Sequence, residues 1–133
     1  MIKVALIGAG KMGISHLSIL GAHPDVNVVG VCDSSKMVTD AIGKYTSFPV
    51  FSDAEKMIDK IRPDAVFVAV PTKYHYTLAK SFLKNRIHVF AEKPLCLSPS
   101  ESEELVKLAA ENKCVNQVGY HNKFIGTFRE AKK

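Results

Sequence analysis

Residues 3–13 read KVALIGAGKMG, an apolar run that leads directly into three glycines with the spacing GxGxxG. In a turn that binds a dinucleotide, each of these glycines has its own role. Gly8 permits the tight turn, Gly10 lets the backbone approach a pyrophosphate, and Gly13 lets the next helix pack on the sheet. Because an apolar strand precedes the turn and a helix-compatible stretch follows it, the segment predicts a dinucleotide site at a helix N-terminus.

An acidic residue stands where the ribose of such a ligand would be bound. Asp33 ends a second apolar run, residues 26–32, and follows Gly13 by 20 positions. A carboxylate there accepts hydrogen bonds from the adenosine ribose and repels a 2′-phosphate, which favours NAD over NADP. The two serines and the lysine at 34–36 could hold a phosphate, so NADP stays the less favoured alternative.

The composition is that of an ordinary globular domain. The chain has 133 residues, 47% hydrophobic and 23% charged, and no apolar stretch approaches the roughly 20 residues of a membrane span. We therefore expect one soluble, cytoplasmic domain without a signal segment or membrane contact. The net charge of +5 comes from scattered lysines without interleaved aromatic residues, so no nucleic-acid surface is predicted.

The three cysteines give no sign of a metal site. Cys32, Cys96 and Cys114 are far apart and lack the spacing of metal ligands, a pattern that suits a reducing compartment. We expect all three to be buried as small apolar residues.

Helical and extended segments alternate along the whole chain. The predicted strands cover residues 3–7, 26–32, 49–51, 65–70, 87–91 and 115–118. The predicted helices cover residues 11–20, 36–44, 53–61, 74–85 and 99–112. The connections are too long for hairpins, so we expect an α/β fold, a doubly wound parallel sheet with strand order 3-2-1-4-5-6. On the first helix, His16 and Ser18 are assigned to the more polar side.

Two of the helix starts carry the pattern of a capping box. Ser52 with Glu55, and Ser98 with Glu101, have the spacing at which the two side chains cap each other's backbone amides. Pro99 adds a favourable first helical residue to the second.

Charged residues follow two strands whose ends should meet where the strand order reverses. The fourth strand leads into residues 70–75, VPTKYH, and the fifth into residues 92–94, EKP. A glutamate and a lysine directly after an apolar strand must stay hydrated or find partners. They are candidates for chemistry, and a surface ion pair is the alternative.

These motifs together resemble the Gfo/Idh/MocA oxidoreductases, whose members include glucose-fructose oxidoreductase and inositol dehydrogenases. The resemblance covers nearly the whole chain, and its most specific part is the EKP after the fifth strand. The segments that carry it are GAGKMG with Asp33, PTKYH at 71–75, EKP at 92–94, and Val118-Gly119-Tyr120 followed by Phe124.

The resemblance implies a Rossmann domain of a nicotinamide-dependent dehydrogenase that acts on a sugar, cyclitol or related polyol. Glu92 would lie near the nicotinamide ribose and Lys93 near the reacting carbon. A hydroxyl proton must leave with the hydride, so Lys93, the expected catalytic residue, would accept that proton or stabilise the developing charge. The expected cofactor-binding residues are Gly8, Gly10, Lys11, Met12, Gly13, Asp33, Val70, Pro71, Thr72, His75, Glu92 and Lys93.

The sequence leaves two interpretations open at some positions. Thr72 and His75 either line the cofactor channel or serve only as the N-cap and first turn of the following helix. The Lys93–Pro94 peptide bond is either cis or trans. Lys123 stands where the family usually has arginine, which weakens the expectation of a planar, bidentate contact there.

The resemblance also implies a second domain, an open antiparallel sheet, that is absent from this chain. We expect residues 1–120 to form the dinucleotide-binding domain and residues 121–133 to begin the connection to the missing substrate domain. Such a fragment would bind cofactor with little turnover and could self-associate through its uncovered face.

Two other functions are compatible with the same fingerprint. One is a stand-alone NAD(H)-binding sensor or assembly module without catalysis. The other is a different Rossmann enzyme, such as a semialdehyde or homoserine dehydrogenase, in which EKP after the fifth strand would not be expected.

Overall fold

The chain folds into one six-stranded parallel sheet covered by helices. A computed structural model describes all of residues 1–133. The strands are β1 (Ile2–Ile7), β2 (Val26–Cys32), β3 (Val50–Phe51), β4 (Ala65–Val68), β5 (His88–Ala91) and β6 (Asn116–Val118). The spatial order is β3-β2-β1-β4-β5-β6 and every pair is parallel, which confirms the predicted fold class and strand order.

Helices connect the strands in the predicted alternation. They are α1 (Lys11–Ala22), α2 (Lys36–Tyr45), α3 (Ala54–Ile61), α4 (His75–Lys84), α5 (Pro99–Glu111) and α6 (Gly126–Ala131). Single 3₁₀ turns lie at Thr72–Tyr74 and His121–Phe124. None of these helices combines the length and the apolar character needed to cross a membrane.

Both faces of the sheet are buried, because successive residues of a strand point to opposite sides. Val4 and Leu6 of β1 pack with Leu17 of α1 in one hydrophobic cluster. Ile7 belongs to a second, larger cluster that contains Phe82 of α4. The unalternating apolar strands seen in the sequence are explained by this double cover.

The start of α3 differs by one residue from the prediction. Its N-cap is Asp53, whose Oδ1 accepts a hydrogen bond of 2.9 Å from the backbone amide of Lys56, so the prediction of Ser52 was wrong. Serine and aspartate are comparable N-caps. Because Ser52 and Asp53 are adjacent in the sequence, only the path of the chain after β3 determines which of them caps the helix.

At α5 the predicted position is right and the predicted capping bonds are wrong. Ser98 is the N-cap and Pro99 the first helical residue, but no side chain caps the helix. The Ser98 hydroxyl bonds instead to the Ser100 hydroxyl at 2.7 Å. The two short side chains satisfy each other, so Ser98 does not turn back to the helix amides.

The cysteine prediction holds for one residue of three. Cys32, at the end of β2, is buried, whereas Cys96 and Cys114 are partly exposed. Those two lie in the segments that follow β5 and α5, where one side of the chain meets solvent. Burial, with smaller contributions from Asp33 and Asp53, raises the pKa of the Cys32 thiol to about 11.

Candidate functional site

The glycine-rich turn between β1 and α1 leaves no room for side chains at two of its three glycines. Gly8 has φ of +90°, and a Cβ there would lie 2.7 Å from the carbonyl oxygen of Ala69. A Cβ on Gly13 would lie 1.9 Å from the carbonyl oxygen of Gly8. These close approaches let α1 begin directly above the end of β1.

The third glycine faces open space. A Cβ on Gly10 would meet nothing within 4 Å, and no side chain caps the N-terminus of α1. Lys11 and Met12 are the first two residues of that helix, and both are exposed. The free end of α1 therefore offers unpaired amide groups to an anion without steric obstruction.

Asp33 lies beside this turn and is tied to it. Its Oδ2 accepts a hydrogen bond of 2.8 Å from the amide of Ala9, and its Oδ1 accepts one of 2.8 Å from the amide of Ser35. The carboxylate thus joins the glycine turn to the segment after β2. Each oxygen retains a lone pair for a further donor such as a ribose hydroxyl.

A cleft of about 570 Å³ opens at this edge of the sheet. It brings together Gly8, Gly10 and Asp33 with Val70 and Pro71, all of which were predicted from the sequence. The remaining lining residues are Ile7, Cys32, Ser34, Ser52, Ala54, Ala69, Tyr74, Thr77 and Leu78. The cleft lies outside the carboxyl ends of β1, β2 and β4, where doubly wound folds bind their ligands.

One wall of the cleft was not identified in the sequence. Tyr74 and Leu78 are four residues apart, on the turn before α4 and on α4 itself. Tyr74 is 50% exposed, although an aromatic side chain normally favours burial. The sequence contained only the helical spacing of the tyrosine and the leucine, which does not distinguish the wall of a cleft from a buried face. The pair gives the cleft an apolar surface suited to a flat base.

His75 and Thr72 are not among the residues that line this cleft. His75 is 1% exposed, and its Nε2 lies 2.8 Å from the carbonyl oxygen of Val70 and its Nδ1 3.0 Å from that of Pro94. Its ring therefore joins the segments that follow β4 and β5. Thr72 opens a 3₁₀ turn, and its side chain does not cap α4.

Glu92 and Lys93 stand at the end of β5 without pairing to each other. The Oε2 of Glu92 accepts only a 3.3 Å hydrogen bond from the backbone amide of Lys93. The Lys93 side chain is exposed and forms no ion pair, and the peptide bond to Pro94 is cis. A surface ion pair of neighbouring residues is therefore not the arrangement found.

The partner of Glu92 is His16, which sequence reasoning had assigned to the polar side of α1. That assignment is wrong: Nε2 of His16 lies 2.7 Å from Oε1 of Glu92, and the two side chains are only 19% and 15% exposed. The helical period carried the signal, because Gly13, Leu17 and Leu20 define the buried face of α1 and position 16 falls on it.

Comparisons with known proteins support the fold described above. Residues 2–120 match GFO_IDH_MocA, described as an oxidoreductase family with an NAD-binding Rossmann fold. D-glucoside 3-dehydrogenase of Escherichia coli is 31% identical over 125 residues, which are 92% of this chain and 36% of that protein. The protein scyllo-inositol 2-dehydrogenase (NADP(+)) IolU of Bacillus subtilis is 28% identical over 134 aligned positions, covering 100% of this chain and 41% of that protein.

A solved structure shows the same fold. Scyllo-inositol dehydrogenase from Lactobacillus casei, with bound NAD(H) and scyllo-inositol, superimposes with a TM-score of 0.88 at 26% identity, covering 99% of this chain and 40% of that one. The chain thus spans about two fifths of the length of each of these three proteins.

Proposed function

Because the chain belongs to the Gfo/Idh/MocA oxidoreductase family, we propose that it is the cofactor-binding domain of a sugar or cyclitol dehydrogenase. The reaction is transfer of a hydride between the carbinol carbon of the substrate and NAD. One observation carries the proposal: Gly8, Gly10 and Asp33 line a single cleft, and Glu92 and Lys93 follow a strand at the same edge of the sheet.

The cleft supports a division of roles along the dinucleotide. The amide groups at the N-terminus of α1 hold the pyrophosphate, with Gly10 leaving room for it. Asp33 accepts hydrogen bonds from the adenosine ribose through the lone pairs left free by Ala9 and Ser35. Tyr74 forms part of the apolar wall for the base.

The names of the relatives include both NAD and NADP, so the choice of coenzyme must be argued from the residues of this chain. Two features favour NAD. The Asp33 carboxylate repels a 2′-phosphate. Lys36, the cation nearest to it in sequence, is already 2.7 Å from Asp40 on its own helix. The positive charge of Lys36, which could have attracted the 2′-phosphate, is therefore partly neutralised by Asp40.

Lys93 is the proposed catalytic residue. Its amine is exposed and unpaired at the end of β5, so it is free to approach a substrate hydroxyl. When a hydride leaves the carbinol carbon, the hydroxyl proton must also leave, and Lys93 accepts it or stabilises the negative charge on the oxygen. The bound nicotinamide ring supplies the hydride acceptor.

Much of an enzyme's rate comes from holding the substrate in a reactive orientation. The chain spans about two fifths of the length of its dehydrogenase relatives. We therefore expect these 133 residues to bind the cofactor with little turnover.

The test is to titrate the chain with NADH and NADPH by fluorescence, together with Asp33→Asn. The asparagine keeps the size and one acceptor oxygen but removes the charge that repels a 2′-phosphate. We expect NADH to bind at least about tenfold more tightly than NADPH, and the variant to lose most of that difference. Asp59→Asn, an exposed acid on α3 that does not line the cleft, is the matched control and should leave the ratio unchanged.

Failure of both cofactors to bind would overturn the proposed function. Tighter binding of NADPH would overturn the preference for NAD and leave the dehydrogenase proposal standing.

A further inference from the structure

Glu92 is held by a histidine from a distant part of the chain. Nε2 of His16, on α1, lies 2.7 Å from Oε1 of Glu92, and 76 positions separate the two residues. Both side chains are mostly shielded from water, with 19% and 15% exposed. A carboxylate with so little solvent needs a hydrogen-bond donor of this kind, because an unpaired charge in such a place is costly.

The histidine ring is itself fixed by aromatic packing. Its centroid lies 5.6 Å from that of Phe67 on β4 and 5.2 Å from that of Phe90 on β5. The rings of Phe67 and Phe90 stack with their centroids 4.7 Å apart, and the His16 ring packs against both of them between α1 and the sheet. With the ring held there, the direction of its Nε2 is set by the fold, and Oε1 of Glu92 is anchored.

The other carboxylate oxygen is left with little to bind. Oε2 accepts only the 3.3 Å contact from the Lys93 amide. Gly119, after β6, lies beside the carboxylate: a Cβ there would stand 3.4 Å from Oε2, 3.5 Å from Oε1 and 3.1 Å from the ring of Phe90. Since glycine occupies position 119, no side chain from that residue covers the carboxylate.

We propose that His16 is a positioning residue for the cofactor. It donates its Nε2–H to Oε1 of Glu92, which turns Oε2 toward the hydroxyl groups of the nicotinamide ribose. Through this one contact, α1, whose N-terminus receives the pyrophosphate, also sets the direction of the residue next to Lys93. The inference rests on the proposed function, since it needs a dinucleotide that crosses from the Asp33 side of the sheet to the β5 side.

ADP and NADH separate this role from a merely structural one. ADP contains the adenosine and the pyrophosphate but lacks the ribose that Glu92 would contact. We expect His16→Ala to weaken NADH binding about tenfold, the size of one charge-assisted hydrogen bond, and to leave ADP binding unchanged. A loss of packing between α1 and the sheet would instead weaken both ligands.

Two further variants sharpen the comparison. His16→Gln places an amide donor near the position of Nε2 and should recover most of the NADH affinity. His23→Ala, an exposed histidine just after the same helix, is the matched control and should change neither ligand. NADH binding is followed by its fluorescence and ADP binding by calorimetry.

Glu92→Gln gives an independent arm that does not depend on the fold tolerating alanine at position 16. It keeps the size of the side chain and should also weaken NADH but not ADP. Added to Glu92→Gln, His16→Ala should then cost much less NADH affinity than its roughly tenfold cost in the wild-type chain, because the two residues act through one contact. Full additivity would overturn the proposal.

The remaining outcomes are also decisive. Equal weakening of NADH and ADP by His16→Ala, or no change in NADH, overturns the positioning role while the proposed function stands. Wild-type protein that binds neither ligand overturns the proposed function itself, and this is visible before any variant is made.

Discussion

At the scale of single residues, the glycines of the turn at 8–13 meet different constraints. Gly13 is required by the fold, because a Cβ there would collide with the backbone of Gly8 at 1.9 Å. Gly10 is not, because its backbone φ of −70° suits any residue and the space around it is open. One motif therefore contains both a folding requirement and a ligand requirement.

This contrast predicts opposite behaviour for two alanine variants. Gly13→Ala should destabilise the fold by about 2 kcal/mol or more, since the overlap is with backbone atoms that cannot rotate away. Gly10→Ala should change the free energy of unfolding by less than about 1 kcal/mol and still weaken NADH binding, because its methyl group occupies the space proposed for the pyrophosphate. Urea unfolding and NADH fluorescence measure the two effects. Unimpaired NADH binding by Gly10→Ala would contradict the placement of the pyrophosphate.

The three thiols should differ in reactivity for a similar reason. Cys32 is 4% exposed and burial raises its pKa to about 11, so at mildly alkaline pH it is both inaccessible and protonated. Burial also raises the pKa values of Cys96 and Cys114, but these side chains are partly exposed. We expect a disulfide reagent to modify Cys96 and Cys114 in the native protein and Cys32 only after unfolding. The additional thiol that reacts on unfolding should be absent in Cys32→Ala. Reaction of three thiols in the native protein would contradict the burial of Cys32.

At the scale of elements, α4 and α5 are linked by a cluster of polar side chains. Lys80 Nζ lies 2.6 Å from Glu104 Oε1 and 2.8 Å from the Tyr76 hydroxyl, which in turn donates to Glu104. The hydrogen bond from Lys80, followed by that from Tyr76, lowers the pKa of Glu104 below its usual value of 4.5. The polar cluster therefore links α4 and α5, which both pack in the larger hydrophobic cluster.

A lowered pKa in the folded protein means stability that is present above the unfolded pKa and lost as the pH falls. Glu104 should therefore stabilise the native state near neutral pH, and this contribution should decline as the pH falls through and below 4.5. Glu104→Gln should unfold more easily than wild type at neutral pH and show a smaller decrease on acidification. Glu103→Gln, an exposed neighbour outside the cluster, is the control. Urea titrations at neutral and acidic pH measure this difference, which high salt should reduce.

At the scale of the whole molecule, the proposed cleft is assembled from segments after β1, β2, β3 and β4 that are distant in the sequence. A ligand that bridges them binds only the native state. Its binding energy therefore adds to the stability of the complete sheet and not to any one element.

NADH should accordingly protect the chain as a unit. At a concentration 100 times its Kd, it should raise the free energy of unfolding by about 2.7 kcal/mol, with a corresponding increase in Tm. Gly10→Ala at the same NADH concentration should show a smaller increase, which separates binding in the cleft from a solvent effect. An unchanged Tm for the wild-type chain would contradict binding to the native state.

Much of the fold could be predicted because its causes are local. Apolar runs without alternation, separated by helical patterns and turn residues, require a parallel sheet covered on both faces, and the structure has that sheet in the predicted order. The errors lie where neighbouring residues have equal local preferences, as Ser52 and Asp53 do at the start of α3.

The sequence by itself determined the glycine turn, the acid after β2 and the glutamate and lysine after β5, because each is a short pattern attached to the end of a strand. Only the tertiary structure decided which side chains meet. It paired Glu92 with His16, buried His75 between the carbonyl oxygens of Val70 and Pro94, and placed Tyr74 on the wall of the cleft. The physical reason is that these contacts depend on how the helices pack on the sheet and on the paths of the segments that follow the strands, and no local preference for helix or strand contains that information.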